Sequence, residues 1–160
     1  PALKDMYSLV VTGPLMTPDK RLLLEQTARN DHVTLVEFTP DILSYVAAAD
    51  LVVSMAGYNT VCENLSLGVR SLYVPRVRPR SEQAIRATRL ARLGLAHVLM
   101  PDELTGASLE AAIKTTLAAP LTRVNLNMKG LARASRAIGQ ILDTRTSLPE
   151  DVRLESVISV

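Results

Sequence analysis

The feature that most constrains the fold is a regular alternation of short apolar runs with helical segments. Between residues 50 and 83 the chain reads as a strand, a turn of small and polar residues, a helix, a second strand, a basic loop and the start of another helix. Strands separated by helices pair in parallel, because the crossover helix returns the chain to the same end of the sheet. The sequence predicts an α/β fold with a doubly wound parallel sheet of about five strands and helices on both faces.

Apolar runs and helix signals place the remaining elements. The predicted strands are 7–12, 33–38, 51–54, 71–74 and 96–99. The predicted helices are 18–29, 42–49, 61–67, 82–93, 108–117 and 126–142. We expect residues 1–142 to form one α/β domain and residues 143–160 to form a C-terminal tail. Because the chain begins with Pro1, we expect it to be part of a longer polypeptide.

Composition excludes several classes of protein. The 160 residues are 48% hydrophobic and 21% charged, which suits one globular domain. One cysteine rules out an internal disulfide and favours a reducing, cytoplasmic compartment, and with two distant histidines it argues against a zinc site. No apolar run reaches the roughly 20 residues of a membrane span. A net charge of +2 and 3% aromatic residues argue against nucleic-acid binding.

Two consecutive strands in the 50–83 segment end in loops that lead into helices. In an open α/β sheet ligands bind at this edge, and helix N-termini favour phosphate. The loop between the second strand and its helix carries Arg76, Arg78 and Arg80. These arginines are either part of a solvated, extended loop or an anion clamp for a diphosphate or an acidic acceptor. Further along, Arg86, Arg89 and Arg92 are predicted to form a solvent-exposed row on one helix.

Four short segments together resemble the C-terminal half of a GT-B glycosyltransferase. They are VEFTPD at 36–41, ADLVVS at 49–54, AGYNTVCE at 56–63, and Val74–Pro75 followed by Glu82–Gln83. The closest resemblance is to glycosyltransferase family 28, which includes the N-acetylglucosaminyltransferase of peptidoglycan synthesis. It covers residues 7–99 and implies the Rossmann-like half of a GT-B fold. It also implies a nucleotide-sugar ligand such as a UDP-sugar, with no metal or other cofactor.

The resemblance implies eight donor-binding residues, spread along the donor from base to sugar. They are Phe38 and Thr39 beside the nucleobase, Gly57, Asn59 and Thr60 near the diphosphate, Glu63 at the ribose hydroxyls, and Glu82 and Gln83 facing the sugar. The first strand of such a domain and its Gly-rich loop would precede residue 7. The N-terminal acceptor-binding domain, with the usual catalytic base, would precede that strand. No catalytic residue is therefore identified, and we expect the chain alone to be inactive. The family is compatible with peripheral membrane association of the full-length protein.

Several of these residues also fit a purely structural role. Thr60 and Glu63 have the spacing of a capping box, in which the carboxylate reaches back to the cap N–H. Gly57 could supply a turn with positive φ, and Asn59 and Thr60 are ordinary N-cap residues. Glu82 suits the first turn of any helix. Gln83 is better explained by a sugar, since its amide both donates and accepts.

The sequence is also compatible with two other functions. A nucleotide-sugar 2-epimerase would share the fold but would need carboxylates near the sugar, for which Glu82 is the one obvious candidate. A non-catalytic basic module could use the arginines of residues 76–92. A phosphoacceptor receiver is disfavoured because the strand ends at Thr12 and Ser54 are not acidic. A nicotinamide-binding unit is disfavoured because no Gly-x-Gly-x-x-Gly turn occurs.

Overall fold

The computed structural model describes residues 6–28, 31–122 and 130–146. The described elements alternate as the sequence predicts, which confirms the α/β class. In chain order they are β1 (Ser8–Val11), α1 (Pro18–Thr27), β2 (Val33–Val36), α2 (Ile42–Ala48), β3 (Val52–Ser54), α3 (Tyr58–Leu67), β4 (Ser71–Tyr73), α4 (Glu82–Arg92), β5 (His97–Val98), α5 (Gly106–Ala118) and α6 (Gly130–Thr146). No helix within these residues combines the length and apolarity that a bilayer crossing requires.

All strand pairs in the described residues are parallel. β1 pairs with β2, and β4 lies between β3 and β5 in a second group. The five predicted strands are present, but they form a two-stranded and a three-stranded sheet rather than one continuous sheet. In these pairings β1 and β3 each use a single edge, so no strand links the two groups.

The helix boundaries differ from the predictions by three residues or more at two places, and by one or two residues elsewhere. α3 begins at Tyr58 instead of residue 61, with Gly57 as its N-cap, and it ends as predicted at Gly68, where φ is 65°. α6 continues to Thr146, past its predicted end, while the predicted residues 126–129 lie outside the described part of the chain. The chain divides into two compact units, residues 1–124 and 125–160, and the predicted domain boundary at 142/143 falls within α6.

A buried cluster packs α3 and α4 against the three-stranded sheet. Its members are Ala56, Val61, Tyr73, Ala87 and Leu90. On the same strand as Tyr73, the side chain of Leu72 is 0% exposed. The cluster has a buried polar neighbour in Asn64 of α3, whose amide donates to Ser71 Oγ at 3.1 Å and to the Tyr73 hydroxyl at 3.4 Å. These contacts fix α3 against β4.

We expect Leu72→Ala to lower the free energy of unfolding by about 2–5 kcal/mol, because it removes a fully buried side chain from packed surroundings. The matched control is Leu15→Ala, at a leucine that is 95% exposed, which should change stability by less than about 0.5 kcal/mol. Urea denaturation of both variants measures the difference. Equal losses in the two variants would contradict the described core.

Candidate functional site

The carboxyl ends of β3 and β4 form two adjacent corners. Ser54 is in register with Tyr73, and the Val74 amide donates to the Ser54 carbonyl at 2.8 Å. α3 follows β3 after a three-residue turn, and α4 follows β4 after the loop that carries Arg76, Arg78 and Arg80. The first backbone N–H groups of a helix have no partner within the helix and carry its positive dipole end. The carboxyl ends of β3 and β4 are therefore each followed by a helix whose first backbone N–H groups suit an anion.

The turn before α3 has an unexpected distribution of backbone angles. Gly57 has φ −57°, which any residue adopts, whereas the buried Ala56 has φ 62°. The interpretation that Gly57 supplies a positive φ is therefore wrong. A Cβ added at Gly57 would meet Thr60 Oγ1 at 3.8 Å, an ordinary contact. Neither the backbone nor the described packing requires glycine here.

The structural alternative for Glu63 is also wrong. The N-cap of α3 is Gly57, with no side-chain cap hydrogen bond, so Asn59 and Thr60 lie inside the first turn and Thr60 cannot begin a capping box. Glu63 is half-buried and lies four residues after Asn59, on the same helix face. Its carboxylate has the acceptor capacity to bind two hydroxyls of a diol at once.

At the second corner the two polar residues differ in their surroundings. Glu82 is exposed in the first turn of α4. Gln83 is half-buried, and its Oε1 accepts a hydrogen bond from the Arg76 amide at 3.0 Å. Its acceptor thus holds the basic loop, and its NH₂ group is the part that suits a ligand. The three loop arginines are exposed, which both earlier interpretations of them allow.

Phe38 and Thr39 lie at the carboxyl end of β2, in the other parallel group. Phe38 is 68% exposed, a high value for a large apolar ring. Thr39 Oγ1 accepts from the Asp41 amide at 3.2 Å and so shapes the entry to α2. The preceding Glu37 bonds to Arg21 of α1. The described hydrogen bonds therefore join the β3 and β4 corners to each other, and they hold the β2 corner separately.

Sequence reasoning missed one residue of this site. Arg86 is half-buried instead of exposed, and its Nη1 donates to the Ala56 carbonyl at 2.7 Å. Its guanidinium carbon also lies 5.7 Å from the centroid of the Tyr58 ring. Arg89 and Arg92 are exposed, as predicted. The only signal in the sequence was the position of Arg86 between alanines, Ala84 and Ala87, that face the core. Across the described residues, no group of three or more His, Cys, Asp or Glu side chains is placed to hold a metal ion.

The parallel strands and their paired helix N-termini define a Rossmann-like α/β domain of the GT-B glycosyltransferase type. Two solved structures share this fold. Acinetobacter baumannii MurG matches with a TM-score of 0.69 and 23% identity over 88% of this chain and 43% of that one. The calicheamicin glycosyltransferase CalG4 matches with a TM-score of 0.68 and 24% identity over 89% of this chain and 36% of that one.

The family described as "Glycosyltransferase family 28 C-terminal domain" matches residues 6–141, and the chain belongs to this family. Two relatives carry the name UDP-N-acetylglucosamine--N-acetylmuramyl-(pentapeptide) pyrophosphoryl-undecaprenol N-acetylglucosamine transferase. The protein from Exiguobacterium sp. is 30% identical over 80% of this chain and 34% of its own length. That from Geobacillus kaustophilus is 43% identical over 42% of this chain and 20% of its own length. The chain thus spans about a third or less of these relatives.

We expect Gly57→Ala to leave the free energy of unfolding within about 0.5 kcal/mol, since alanine fits φ −57° and its gain in unfolded-state entropy offsets the loss of a good N-cap residue. Gly68→Ala is the matched control, and it should cost about 1–2 kcal/mol because φ is 65° there. Urea denaturation distinguishes the two variants. A large loss at Gly57 would mean that glycine is needed for folding after all.

Proposed function

We propose that this chain is the donor-binding domain of a glycosyltransferase that moves a hexosyl group from a UDP-sugar to an acceptor hydroxyl. The observation that carries the proposal is the pair of helix N-termini at the adjacent ends of β3 and β4, in a chain of the family 28 C-terminal domain. The relatives' names specify UDP-N-acetylglucosamine as their donor. The same class of donor suits the anion-favouring edge of this chain.

The chemistry follows from the charge of the donor. The acceptor oxygen attacks the anomeric carbon, the bond to the diphosphate breaks, and the diphosphate leaves with the bonding electrons and a growing negative charge. Backbone amides at the start of α3 and the positive end of its dipole stabilise that charge where it develops. We propose that glycine at position 57 lets the diphosphate approach these amides, since a Cβ there would meet no crowded neighbour in the described packing that would otherwise account for the glycine. The exposed Arg76, Arg78 and Arg80 supply further positive charge.

The rest of the donor is assigned to residues around this edge. Glu63 accepts from the two ribose hydroxyls, the NH₂ group of Gln83 and the carboxylate of Glu82 face the sugar, and Phe38 and Thr39 lie beside the base. Asn59 and Thr60 line the diphosphate from the first turn of α3. Because the helix dipoles and arginines provide the positive charge, we propose that donor binding requires no metal.

We propose that the acceptor and the proton-accepting base are held by a separate N-terminal domain of the full-length protein. The support is the length of the relatives, of which this chain spans about a third. The chain alone would then be inactive. Since the relatives' names specify an undecaprenol-linked acceptor, we also propose that the full-length protein works at the cytoplasmic face of a membrane as a peripheral protein.

We further propose that polypeptide preceding residue 7 supplies a strand between β1 and β3. Doubly wound dinucleotide-type sheets have the strand order 3-2-1-4-5-6. Removing strand 1 from that order leaves a two-stranded and a three-stranded piece, which is the observed arrangement. In both strands, apolar residues whose amides point away from the paired strand are also exposed: Leu9 is 38%, Val11 39% and Val53 45% exposed. The proposed donor site would then lie at the switch point of the completed sheet.

Hydrogen exchange tests this strand. Successive backbone amides of β1 point to opposite edges of the strand. Those of Ser8 and Thr12 donate toward β2, so those of Leu9 and Val11 point to the edge that has no partner in the described pairing. In the full-length protein we expect these two amides to exchange much more slowly than in the 160-residue chain. Val10, which faces β2, is the internal control and should be protected in both. Equally fast exchange of Leu9 and Val11 in both proteins would overturn the proposal.

Donor binding is tested by titrating the full-length protein with UDP in excess EDTA. We expect saturable binding, and we expect Glu63→Gln to weaken it roughly tenfold or more, because charge-assisted hydrogen bonds to the ribose are lost. The wild type should also discriminate against 2′-deoxy-UDP, whereas Glu63→Gln should not. Glu103→Gln, at an exposed glutamate, is the matched control. If wild type and Glu63→Gln discriminate equally, Glu63 does not bind ribose, and if EDTA abolishes binding, a metal is required.

A further inference from the structure

One side chain of α4 holds the turn that leads into α3. Arg86 donates from Nη1 to the Ala56 carbonyl at 2.7 Å, and its guanidinium lies 5.7 Å from the centre of the Tyr58 ring. It therefore contacts the residues on both sides of Gly57. The other arginines of the row, Arg89 and Arg92, are exposed. Of the three arginines in the row, Arg86 is therefore the one that contacts the turn before α3.

The residue that Arg86 holds has a backbone conformation that its side chain disfavours. Ala56 has φ 62°, in the left-handed region where a Cβ crowds the following carbonyl. It is also fully buried in the cluster with Val61 and Tyr73. A non-glycine residue keeps such an angle only where its surroundings hold it there. The hydrogen bond from Arg86 is the polar part of those surroundings, and the side chains packed around the Ala56 Cβ are the apolar part.

We propose that Arg86 is a positioning residue: it keeps the Ala56 turn in the conformation that points the first amides of α3 toward the donor diphosphate. This inference rests on the proposed function of the site. Arg86 acts through the Ala56 carbonyl and does not itself touch the donor. Loss of Arg86 lets Ala56 relax toward negative φ, and that change rotates the peptide bond between Ala56 and Gly57. The effect should therefore fall on recognition of phosphate and leave recognition of the nucleoside unchanged.

The first experiment compares UDP with uridine on the full-length protein. We expect Arg86→Met, which keeps the apolar stem, to raise the Kd for UDP about tenfold while changing the Kd for uridine less than about twofold. Arg86→Lys keeps one donor and should recover part of the UDP affinity. Arg89→Met, on the exposed part of the same helix, should leave both ligands unaffected. An equal loss for UDP and uridine would point to general damage to the fold and would contradict the proposal.

The second experiment separates positioning from direct contact with phosphate. Glycine adopts φ 62° without strain, so Ala56→Gly makes the turn less dependent on Arg86. Ala56→Gly alone should leave the UDP affinity within about twofold of the wild type. The double variant with Arg86→Met should bind UDP at least about threefold more tightly than Arg86→Met alone. If Arg86 instead bound the diphosphate directly, glycine at position 56 would restore nothing. That result would overturn the inference.

A third measurement needs no ligand, so it distinguishes failure of this inference from failure of the proposed function. In the ligand-free protein, Arg86→Met should shift the amide NMR signals of Gly57 and Tyr58 and speed their hydrogen exchange, and Arg89→Met should not. If UDP fails to bind but these signals respond, the donor proposal is wrong and Arg86 still holds the turn. If the signals of both variants match the wild type, the inference about Arg86 is wrong.

Discussion

The parallel pairing of β3 with β4 is the constraint on which the candidate site depends. The Val52 amide donates to the Arg70 carbonyl, and the Val74 amide donates to the Ser54 carbonyl, so the two strands run in the same direction and end at one edge. An antiparallel pair would have placed the turns that follow these strands at opposite edges. Because the pair is parallel, the turn into α3 and the loop into α4 both leave the sheet at the carboxyl ends of neighbouring strands, which is the arrangement that the proposed donor site requires.

Small side chains let α4 pack close to the turn that follows β3. Ala56 in the turn and Ala87 on α4 are both fully buried in the same cluster. Their packing places the neighbouring Arg86 within hydrogen-bond distance of the Ala56 carbonyl. The disfavoured angle then falls on alanine, while the glycine next to it has an ordinary one. Such a departure from local preference is what a site shaped for a ligand would show, and it agrees with the roles proposed for Gly57 and Arg86.

Local signals predicted the elements well and their starts less well. Gly68 and Gly94, both with positive φ, end or follow helices where the sequence places them, because this conformation strongly favours glycine. The start of α3 was misplaced because Gly57 is its N-cap with no side-chain hydrogen bond, so the strongest local signal, the Thr60–Glu63 spacing, pointed three residues too far along. The same spacing supported a capping role for Glu63 that the helix does not use.

The sequence by itself determined the type and order of the elements, because periodicity, turn residues and helix stops act over a few neighbouring residues. It also determined the family resemblance, which depends on the order of short motifs. Only the tertiary structure decided that the strands form two parallel groups, that Gln83 holds the Arg76 loop, and that Arg86 holds the turn at Ala56. The pairing of strands and the contact at Ala56 join residues distant in sequence. Their energies depend on packing between elements, which no local pattern encodes.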